Sequence, residues 1–508
     1  MQTPERTVHR VRGLDTLFAD FAGVTGAQVA TLVLGVLTVV LTARILAPEE
    51  YAVIAYMTLG GAFITFASCA WSNAAVMRYG REELDRTASL QRSVWARVAL
   101  TLPIVVVVSA LLPALKGAGA LPPEFTWTYV WLTLALGLFF VVGEQLSVVL
   151  NAAGRMRLAA AATAGRQALL VLGLVAIAIS ATGRSILAVA WLTVLVAAAL
   201  TLALLAALRG LRLWPPALDR SQLRRMLIFS LPMIAFAASQ YGMRSVDVIV
   251  LRVFSAPEEV GVYALAYQSY TMLQSLAVAV TIVLIPLFVS LREANREELV
   301  ARYFERVVPQ LIFAASIFAG LLAPLVMISV PIAFGPAFEE AARPLALLIA
   351  ALALFAVASL LAPILMLHER TRETSVINVV AFGLNVVGDV VLIGVLDAGI
   401  AGPAIATIAA LAVIVAGYFV VARRDLQTSP VLSIALVLPL AAGVLPAVLV
   451  DGFLGVSLGF MASALVAAVV LSRLRLFAHE DADLVERLDL PLPIRQGAVA
   501  AIRRLARG

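Results

Sequence analysis

The stretch ILAPEEYAVIAYMTLGG, at residues 45–61, decides the fold of this chain because it ends one long apolar run and begins another. Its pattern returns as VFSAPEEVGVYALAYQSY at residues 253–270. In both places Pro-Glu-Glu opens the second run. Proline suits the first turn of a helix, and the helix dipole stabilises glutamates there. Two such helical hairpins predict a duplicated bundle of helices.

The composition is that of a polytopic membrane protein. The 508 residues are 62% hydrophobic and 13% charged, and the mean hydropathy is +1.01. The apolar runs are continuous rather than alternating, which favours helices over membrane-spanning strands. Because a bilayer core takes about 20 apolar residues per helix, we predict an all-α fold with about 14 transmembrane helices.

The distribution of positive charge also fits a membrane protein. The formal net charge is +6, but Lys116 is the only lysine, and the arginines lie mainly between the apolar runs. This is the positive-inside pattern and not a nucleic-acid-binding patch. It assigns the arginine-rich connections at residues 78–92, 209–225 and 292–306 to the cytoplasm. We therefore expect a multi-pass membrane protein with both termini in the cytoplasm.

The longest polar connections divide the chain into parts. The one at residues 209–225 contains Pro215 and Pro216 and separates six spans from the next six. The predicted parts are an N-lobe at 1–208, a cytoplasmic linker at 209–225, a C-lobe at 226–422, two further spans at 423–476 and a cytoplasmic tail at 477–508.

Several kinds of chemistry have no support in the sequence. The single cysteine, Cys69, excludes an internal disulfide and a cysteine-rich metal site, and the three histidines fall in tails or short loops. No phosphate-binding loop with its lysine occurs, so ATP hydrolysis of that kind is excluded. We predict a protein that is not an enzyme and that holds no metal or cofactor, apart from a coupling H⁺ or Na⁺.

A family resemblance rests on five stretches in a fixed order. They are LAPEEYAVIAY after the first span, NAAVMRYG at 73–80, NAAGRMR at 151–157, FSLPMI at 229–234 and SVDVIVLRVFSAPEEVGVYALAY at 245–267. With these motifs the chain resembles the polysaccharide transporter family of the multidrug/oligosaccharidyl-lipid/polysaccharide (MOP) exporter superfamily. The resemblance implies two six-helix lobes around a central cavity.

The function that the resemblance implies is that of a secondary flippase. Its substrate would be an undecaprenyl-diphosphate-linked oligosaccharide for capsule, exopolysaccharide or O-antigen, moved across the inner membrane by alternating access. A peptidoglycan-precursor flippase and a drug/cation antiporter of the MATE kind remain alternatives, and a membrane glycan polymerase or acyltransferase is a more remote one. Expected partners are membrane lipids, the lipid-linked saccharide and the glycan polymerase or glycosyltransferases of its pathway. We expect a monomer that does not bind nucleic acid.

Span seven carries three polar side chains on one face. Gln240, Arg244 and Asp247 follow at helical spacing. A charged residue within a span needs a partner or a water-filled cavity. We expect Arg244 and Gln240 to contact an anionic head group, with Asp247 restraining the arginine or carrying a proton. The alternative is a structural ion pair between Arg244 and Asp247.

Spans four and five carry one charge each at the same distance from the turn that joins them. Glu144 and Arg166 are equally far in sequence from Arg155, so they should lie at similar depth in an antiparallel hairpin. We predict that they pair, either as a structural clamp or as part of the substrate path. Arg166 is thus a candidate substrate ligand and Glu144 a candidate coupling residue.

Three polar stripes complete the candidates. Asn385 and Asp389 in span eleven continue a stripe from Ser375 and Asn378 and predict a site for a coupling proton or sodium ion, unless Asp389 is simply hydrated near the outer head groups. Span eight aligns residues that suit sugar hydroxyls: Tyr263, Tyr267, Tyr270, Thr271 and Gln274. Span two aligns small polar residues that also serve as packing contacts between helices in lipid: Thr65, Ser68, Cys69, Ser72 and Asn73.

Overall fold

The structure is a computed structural model that describes residues 14–180, 184–293, 297–428 and 434–474, together with residues 496 and 500. Within these ranges all regular secondary structure is helical, and no strand occurs. The predicted all-α class is therefore confirmed.

Fourteen helices of at least 12 residues carry the described part of the fold, one at each predicted span. They are α1 Leu14–Ile45, α2 Pro48–Ser68, α3 Gln91–Gly117, α4 Trp127–Ala152, α5 Met156–Ile179, α6 Ile186–Ala207, α7 Arg220–Phe254, α8 Pro257–Glu293, α9 Val308–Phe334, α10 Ala342–Leu367, α11 Thr371–Gly394, α12 Gly402–Leu426, α13 Leu438–Leu449 and α14 Gly452–Leu474.

Most of these helices could cross a membrane. In the described residues eleven helical segments are long and apolar enough, or twelve if the bent helix α7 counts as one span. The remaining two predicted spans are α8 and α13, of which α13 has only 12 residues. The chain is thus a multi-pass helical membrane protein, and fourteen is an approximate count.

The chain forms two compact units by its own contacts. Unit one contains the described residues up to Leu46 and Val53–Ala238, and unit two contains Ala47–Ala52 and the described residues from Ser239 onward. Helix α7 contributes residues to both. The predicted division into lobes, linker and added spans stays a prediction. The predicted tail at 477–508 lies outside the described residues, apart from residues 496 and 500.

In unit one, helix α1 packs against α5, α4 packs against α6, and α5 packs against α6. In unit two, α10 is the central helix, with α8, α9 and α12 around it. Helices α13 and α14 pack against each other and against α9. The approach of α13 to α9 is so close that a Cβ added at Gly443 would lie 1.8 Å from the carbonyl oxygen of Gly320.

Both copies of the Pro-Glu-Glu turn begin helices, as predicted. Helix α2 starts at Pro48 and α8 at Pro257, each with two glutamates in the first turn. The first copy belongs to unit two, where the Tyr51 ring packs edge-on against Phe338 at 5.7 Å between ring centroids. A Cβ at Gly261 would lie 1.7 Å from the carbonyl oxygen of Pro48, so only glycine fits beside this turn.

Candidate functional site

Unit two contains a buried cluster of oxygen-bearing side chains, here called the carboxylate network. Four helices contribute to it: α7, α8, α11 and α12. Its members are all 4% exposed or less and comprise Asp247, Tyr263, Asn385, Asp389 and Thr407. Asn385 and Asp389 are four residues apart on α11, which brings both onto the same face of that helix.

One oxygen of Asp247 accepts hydrogen bonds from two other members of the carboxylate network. Asp247 Oδ2 accepts a hydrogen bond from the Tyr263 hydroxyl and another, of 3.2 Å, from Thr407 Oγ1. The side chains of Asp389 and Asn385 lie beside the same carboxyl group. Yet Asp247 Oδ1, both carboxyl oxygens of Asp389 and both polar atoms of Asn385 have no hydrogen-bond partner in the part of the chain described.

This arrangement is suited to taking up a positive charge. Three of the four oxygens of these neighbouring carboxyl groups lack a donor among the described residues. Both groups cannot remain charged in a low-dielectric interior, because their mutual repulsion and their desolvation are unfavourable. Carboxylate and amide oxygens are the ligands that hard cations prefer. Two carboxyl groups and one amide offer few oxygen ligands, which suits a monovalent cation or a shared proton. The described residues hold no group of three or more His, Cys, Asp or Glu that could bind a metal ion.

Two predictions about these carboxylates can now be corrected. Asp389 is 0% exposed, so the alternative of a hydrated residue near the head groups is wrong. The alternative of an Arg244–Asp247 ion pair is wrong as well, because Asp247 is bound by Tyr263 and Thr407. The Arg244 side chain is exposed and makes no ion pair or hydrogen bond with any other described residue.

The predicted tyrosine stripe lies against α7. The Tyr267 ring lies 6.0 Å from that of Tyr263 and 5.7 Å from that of Tyr270, and the Tyr267 hydroxyl donates to the Met243 carbonyl at 3.1 Å. Tyr263 is 0% and Tyr270 1% exposed, and the Gln274 side chain interacts with the Tyr270 hydroxyl. In this conformation only Tyr267 is partly exposed, so a sugar could touch only that ring.

Gln240 also bonds within unit two. Its Nε2 donates to Asn378 Oδ1 at 2.8 Å, and Asn378 Nδ2 donates to the Tyr418 hydroxyl at 2.9 Å. These bonds join α7, α11 and α12. Of the predicted stripe on α11, Asn378, Asn385 and Asp389 are each 1% exposed or less, whereas Ser375 is partly exposed.

Unit one contains a second buried cluster, here called the arginine network: Cys69, Asn73, Arg97 and Glu144. Arg97 of α3 is 0% exposed, and its Nη2 donates to Asn73 Oδ1 at 2.5 Å and to the Cys69 carbonyl at 3.2 Å. Asn73 Nδ2 donates in turn to Glu144 Oε1 at 2.6 Å. The amide of Asn73 thus bridges a buried positive charge and a partly exposed negative one.

The local backbone explains why Arg97 binds at this position. Helix α2 ends at Ser68, and residues Ala70–Ser72 form a 3₁₀ turn. The Cys69 carbonyl accepts from the Ser72 amide and hydroxyl within this turn, and from Arg97 as well. The Cys69 thiol is buried and donates to the Thr65 carbonyl at 3.2 Å. The predicted polar stripe of span two therefore faces other helices of unit one at Cys69 and Asn73.

The predicted Glu144–Arg166 pair is not formed. Glu144 is bound by Asn73, and Arg166 makes no hydrogen bond or ion pair with any residue that the structure describes. Equal depth in a hairpin does not set the direction of each side chain around its helix. The next residue, Gln167, points toward α1, because its Nε2 lies 3.5 Å from Thr38 Oγ1 of that helix.

Sequence reasoning missed two members of these networks and the role of a third. Arg97 was not among the predicted site residues; α3 begins at Gln91, so this arginine lies inside the helix. Thr407 was missed because one threonine in an alanine-rich span carries little signal. Tyr263 was predicted as a sugar ligand, whereas its hydroxyl donates to Asp247.

Comparisons with known proteins agree with this fold. The sequence model of a family described as "Polysaccharide biosynthesis protein" matches residues 17–292. A search of curated proteins finds no match. A structure described as lipid II flippase MurJ in an inward closed conformation is similar with a TM-score of 0.66 and 13% sequence identity, over 88% of this chain and 98% of that one.

Other similar structures are transporters by their descriptions. One is an inward-facing MATE-family multidrug resistance transporter of the MOP superfamily, with a TM-score of 0.55 and 16% identity over 78% of this chain and 94% of that one. Another is a MOP superfamily transporter from Pyrococcus furiosus, with a TM-score of 0.52 and 13% identity over 80% of this chain and 96% of that one. At such identities the likeness shows the fold alone. The family match covers more than half of the sequence, so the chain belongs to the polysaccharide biosynthesis protein family.

Proposed function

We propose that this protein is a secondary flippase for an anionic, lipid-linked oligosaccharide of the undecaprenyl-diphosphate type. It would act as a monomer in the bacterial inner membrane, with both termini in the cytoplasm, and supply capsule, exopolysaccharide or O-antigen synthesis. The observation that carries the proposal lies on α7. There Arg244, which is exposed and makes no ion pair or hydrogen bond with another described residue, stands one turn before the buried carboxyl group of Asp247. One helix therefore bears both an anion ligand and a cation ligand.

Arg244 supports the substrate class. A charged side chain at the centre of a span costs about 2.5–3.5 kcal/mol on insertion scales, so it is retained where it meets water or an opposite charge. The guanidinium group can donate two parallel hydrogen bonds to a phosphate, which makes it a good ligand for a diphosphate. Tyr267, which is partly exposed nearby, would offer its ring to the first sugar.

The carboxylate network supports the energy source. A cation or proton bound there would lie between α7, α8, α11 and α12 and would stabilise the arrangement in which their oxygens converge. Because a ligand shifts a conformational equilibrium by its differential affinity, an ion gradient acting on this network could drive the return of the empty carrier. No other cofactor is proposed, and no catalytic step.

The test of the substrate role is the variant Arg244→Gln in a strain that lacks the native protein. We expect normal protein levels, loss of glycan export and accumulation of a lipid-linked saccharide on the cytoplasmic side. The matched control is Arg424→Gln, which removes an exposed arginine at the end of α12. Normal export by Arg244→Gln would remove this residue from the mechanism.

Two alternatives remain within transport. A peptidoglycan-precursor flippase, the function in the description of one similar structure, would use Arg244 in the same way, and the identity of the accumulated lipid decides between the two. A drug/cation antiporter needs acidic groups that the substrate can touch. The paired carboxyl groups of unit two are both 0% exposed, which favours the anionic substrate.

A further inference from the structure

A segment between α6 and α7, residues 209–219 and here called the strap, is fixed to unit one by its backbone. The Arg212 carbonyl accepts a hydrogen bond from the Leu90 amide at 3.1 Å, and the Leu213 carbonyl accepts from Trp95 Nε1 at 2.9 Å. The Trp214 carbonyl accepts from Gln91 Nε2 at 2.5 Å. Three successive carbonyl groups are thus held at the start of α3, so the strap is an ordered surface.

The strap alternates between buried and exposed side chains. Leu211 and Leu213 pack against an apolar cluster that includes Leu90 and Leu208, whereas Arg212 and Trp214 are exposed. This is the period of an extended chain, in which successive side chains point to opposite faces. The outward face therefore presents a cation and a large aromatic ring, the latter 71% exposed.

The outward face of the strap stands at the end of an apolar surface. On α3, Trp95 shares one helical face with Leu102 and Val106, which are 56% and 61% exposed. The Trp95 ring packs edge-on against the Trp214 ring, with 5.6 Å between centroids. Exposed aliphatic side chains along a membrane helix suit acyl chains, and tryptophan suits the layer between acyl chains and head groups.

The charges beside this tryptophan pair are positive. The Arg92 side chain is 60% exposed and lies 3.7 Å from its one acidic partner, Asp219. Arg212 is exposed, and its side chain makes no contact with another charged or polar group in the described residues. Among the described residues, at least the Arg212 charge thus has no acidic partner beside the tryptophan pair. A phospholipid with an anionic head group matches both features, because its phosphate meets the arginines and its chains meet α3.

We propose that Arg92, Trp95, Arg212 and Trp214 form a binding site for an anionic phospholipid of the leaflet predicted to be cytoplasmic. The lipid would tie the strap to the membrane surface. A protein partner from the cytoplasm would contact only the arginines and the Trp214 ring. A lipid would also contact the exposed aliphatic side chains of α3, so this apolar stripe favours a lipid. The proposal does not depend on the transported substrate.

The test uses the full-length protein in vesicles of phosphatidylcholine, alone or mixed with phosphatidylglycerol, with bromine on the acyl chains of one lipid at a time. The fluorescence of Trp214 is obtained as the difference between the native protein and Trp214→Phe. We expect brominated phosphatidylglycerol to quench this signal more than brominated phosphatidylcholine at equal content. Arg212→Gln should weaken that preference by roughly fivefold, the effect of one arginine at an anionic surface.

The control is Arg81→Gln, which removes an exposed arginine with an acidic partner, Asp85, from the same surface of unit one. It should leave the preference unchanged. Arg92→Gln provides a second variant, in case either substitution disturbs the strap. Equal quenching by the two lipids, or an equal loss in the Arg81 control, would overturn the proposal. No quenching by either lipid would also overturn it and indicate a partner from the cytoplasm.

Discussion

The two buried networks use the same kinds of residue in opposite ways. In unit one, Asn73 bridges Arg97 and Glu144, so the charge of the arginine is balanced within the chain, although its Nε and Nη1 make no hydrogen bond. In unit two, two carboxyl groups lie side by side, and most of their oxygens have no donor. The comparison teaches that burial alone does not identify a functional charge. A buried network whose charges are not balanced within the chain needs a counter-charge, such as a cation or proton bound from solution.

The largest expected effect is on the stability of unit one. Arg97→Met removes the charged donor to Asn73 and to the Cys69 carbonyl, and should lower the free energy of unfolding by about 3 kcal/mol, the upper value for a hydrogen bond to a charged group. Thermal unfolding in detergent measures this. Arg166→Met is the matched control, since that arginine has no partner among the described residues, and it should cost far less. Equal losses would show that the arginine network is not a balanced pair.

The second prediction concerns unit two. If the carboxylate network binds a monovalent cation, the ion at one hundred times its dissociation constant should stabilise the native protein by about 2.7 kcal/mol. Asp389→Asn should abolish this gain without lowering the stability of the ion-free protein, because it removes a buried charge that lacks a donor. Unfolding is compared in sodium and choline chloride, at more than one pH.

Asp397→Asn is the control for that experiment. Asp397 is exposed and has a φ of 52°, a conformation that asparagine adopts readily, so the ion effect should persist. A native protein whose stability responds to neither sodium nor pH would contradict the ion site.

A smaller effect is expected from Glu144→Gln. The amide keeps a hydrogen bond to Asn73 but loses the charge, so the cost should be about 1.5 kcal/mol, the lower value for a hydrogen bond to a charged group. In the Arg97→Met background the same change should cost less, because the charge that it neutralises is already unpaired there. Additive losses in this double-mutant cycle would mean that the two charges do not act on each other.

The smallest effect is expected from Gln240→Leu. This change removes one hydrogen bond between α7 and α11 and leaves Asn378 bound to Tyr418, so it should cost about 1 kcal/mol. Ion-induced stabilisation should remain, because Gln240 is not a member of the carboxylate network. Loss of that response would mean that the hydrogen-bonded pair Gln240 and Asn378 also contributes to ion binding.

Periodicity in the sequence was enough to predict the helices and the shared face of the polar residues on α11, but not that this face is buried. Each of the fourteen predicted spans coincides with a helix, and Asn378, Asn385 and Asp389 share a face because the helical repeat requires it. Partners across helices could not be predicted in this way. Glu144 and Arg166 have matching depths, but the rotation of α4 and α5 about their axes is set by packing over the whole helix.

Buried charges close to a helix end were harder to predict than those in the interior. Arg97 lies five residues after the arginine-rich connection predicted at 78–92 and was not singled out, whereas α3 begins at Gln91 and places this side chain inside the unit. Tyr263 shows a different limit. A tyrosine stripe suits both sugars and carboxylates, and only the position of Asp247 on the neighbouring helix decides between them.

The enclosed position of Cys69 makes this chain convenient for covalent labelling. It is the sole thiol of the sequence, and packing in unit one keeps water-borne reagents away from its sulfur. A cysteine introduced at an exposed position such as Asp397 would therefore be the one group that a maleimide dye or spin label modifies, with no need to delete the native residue first.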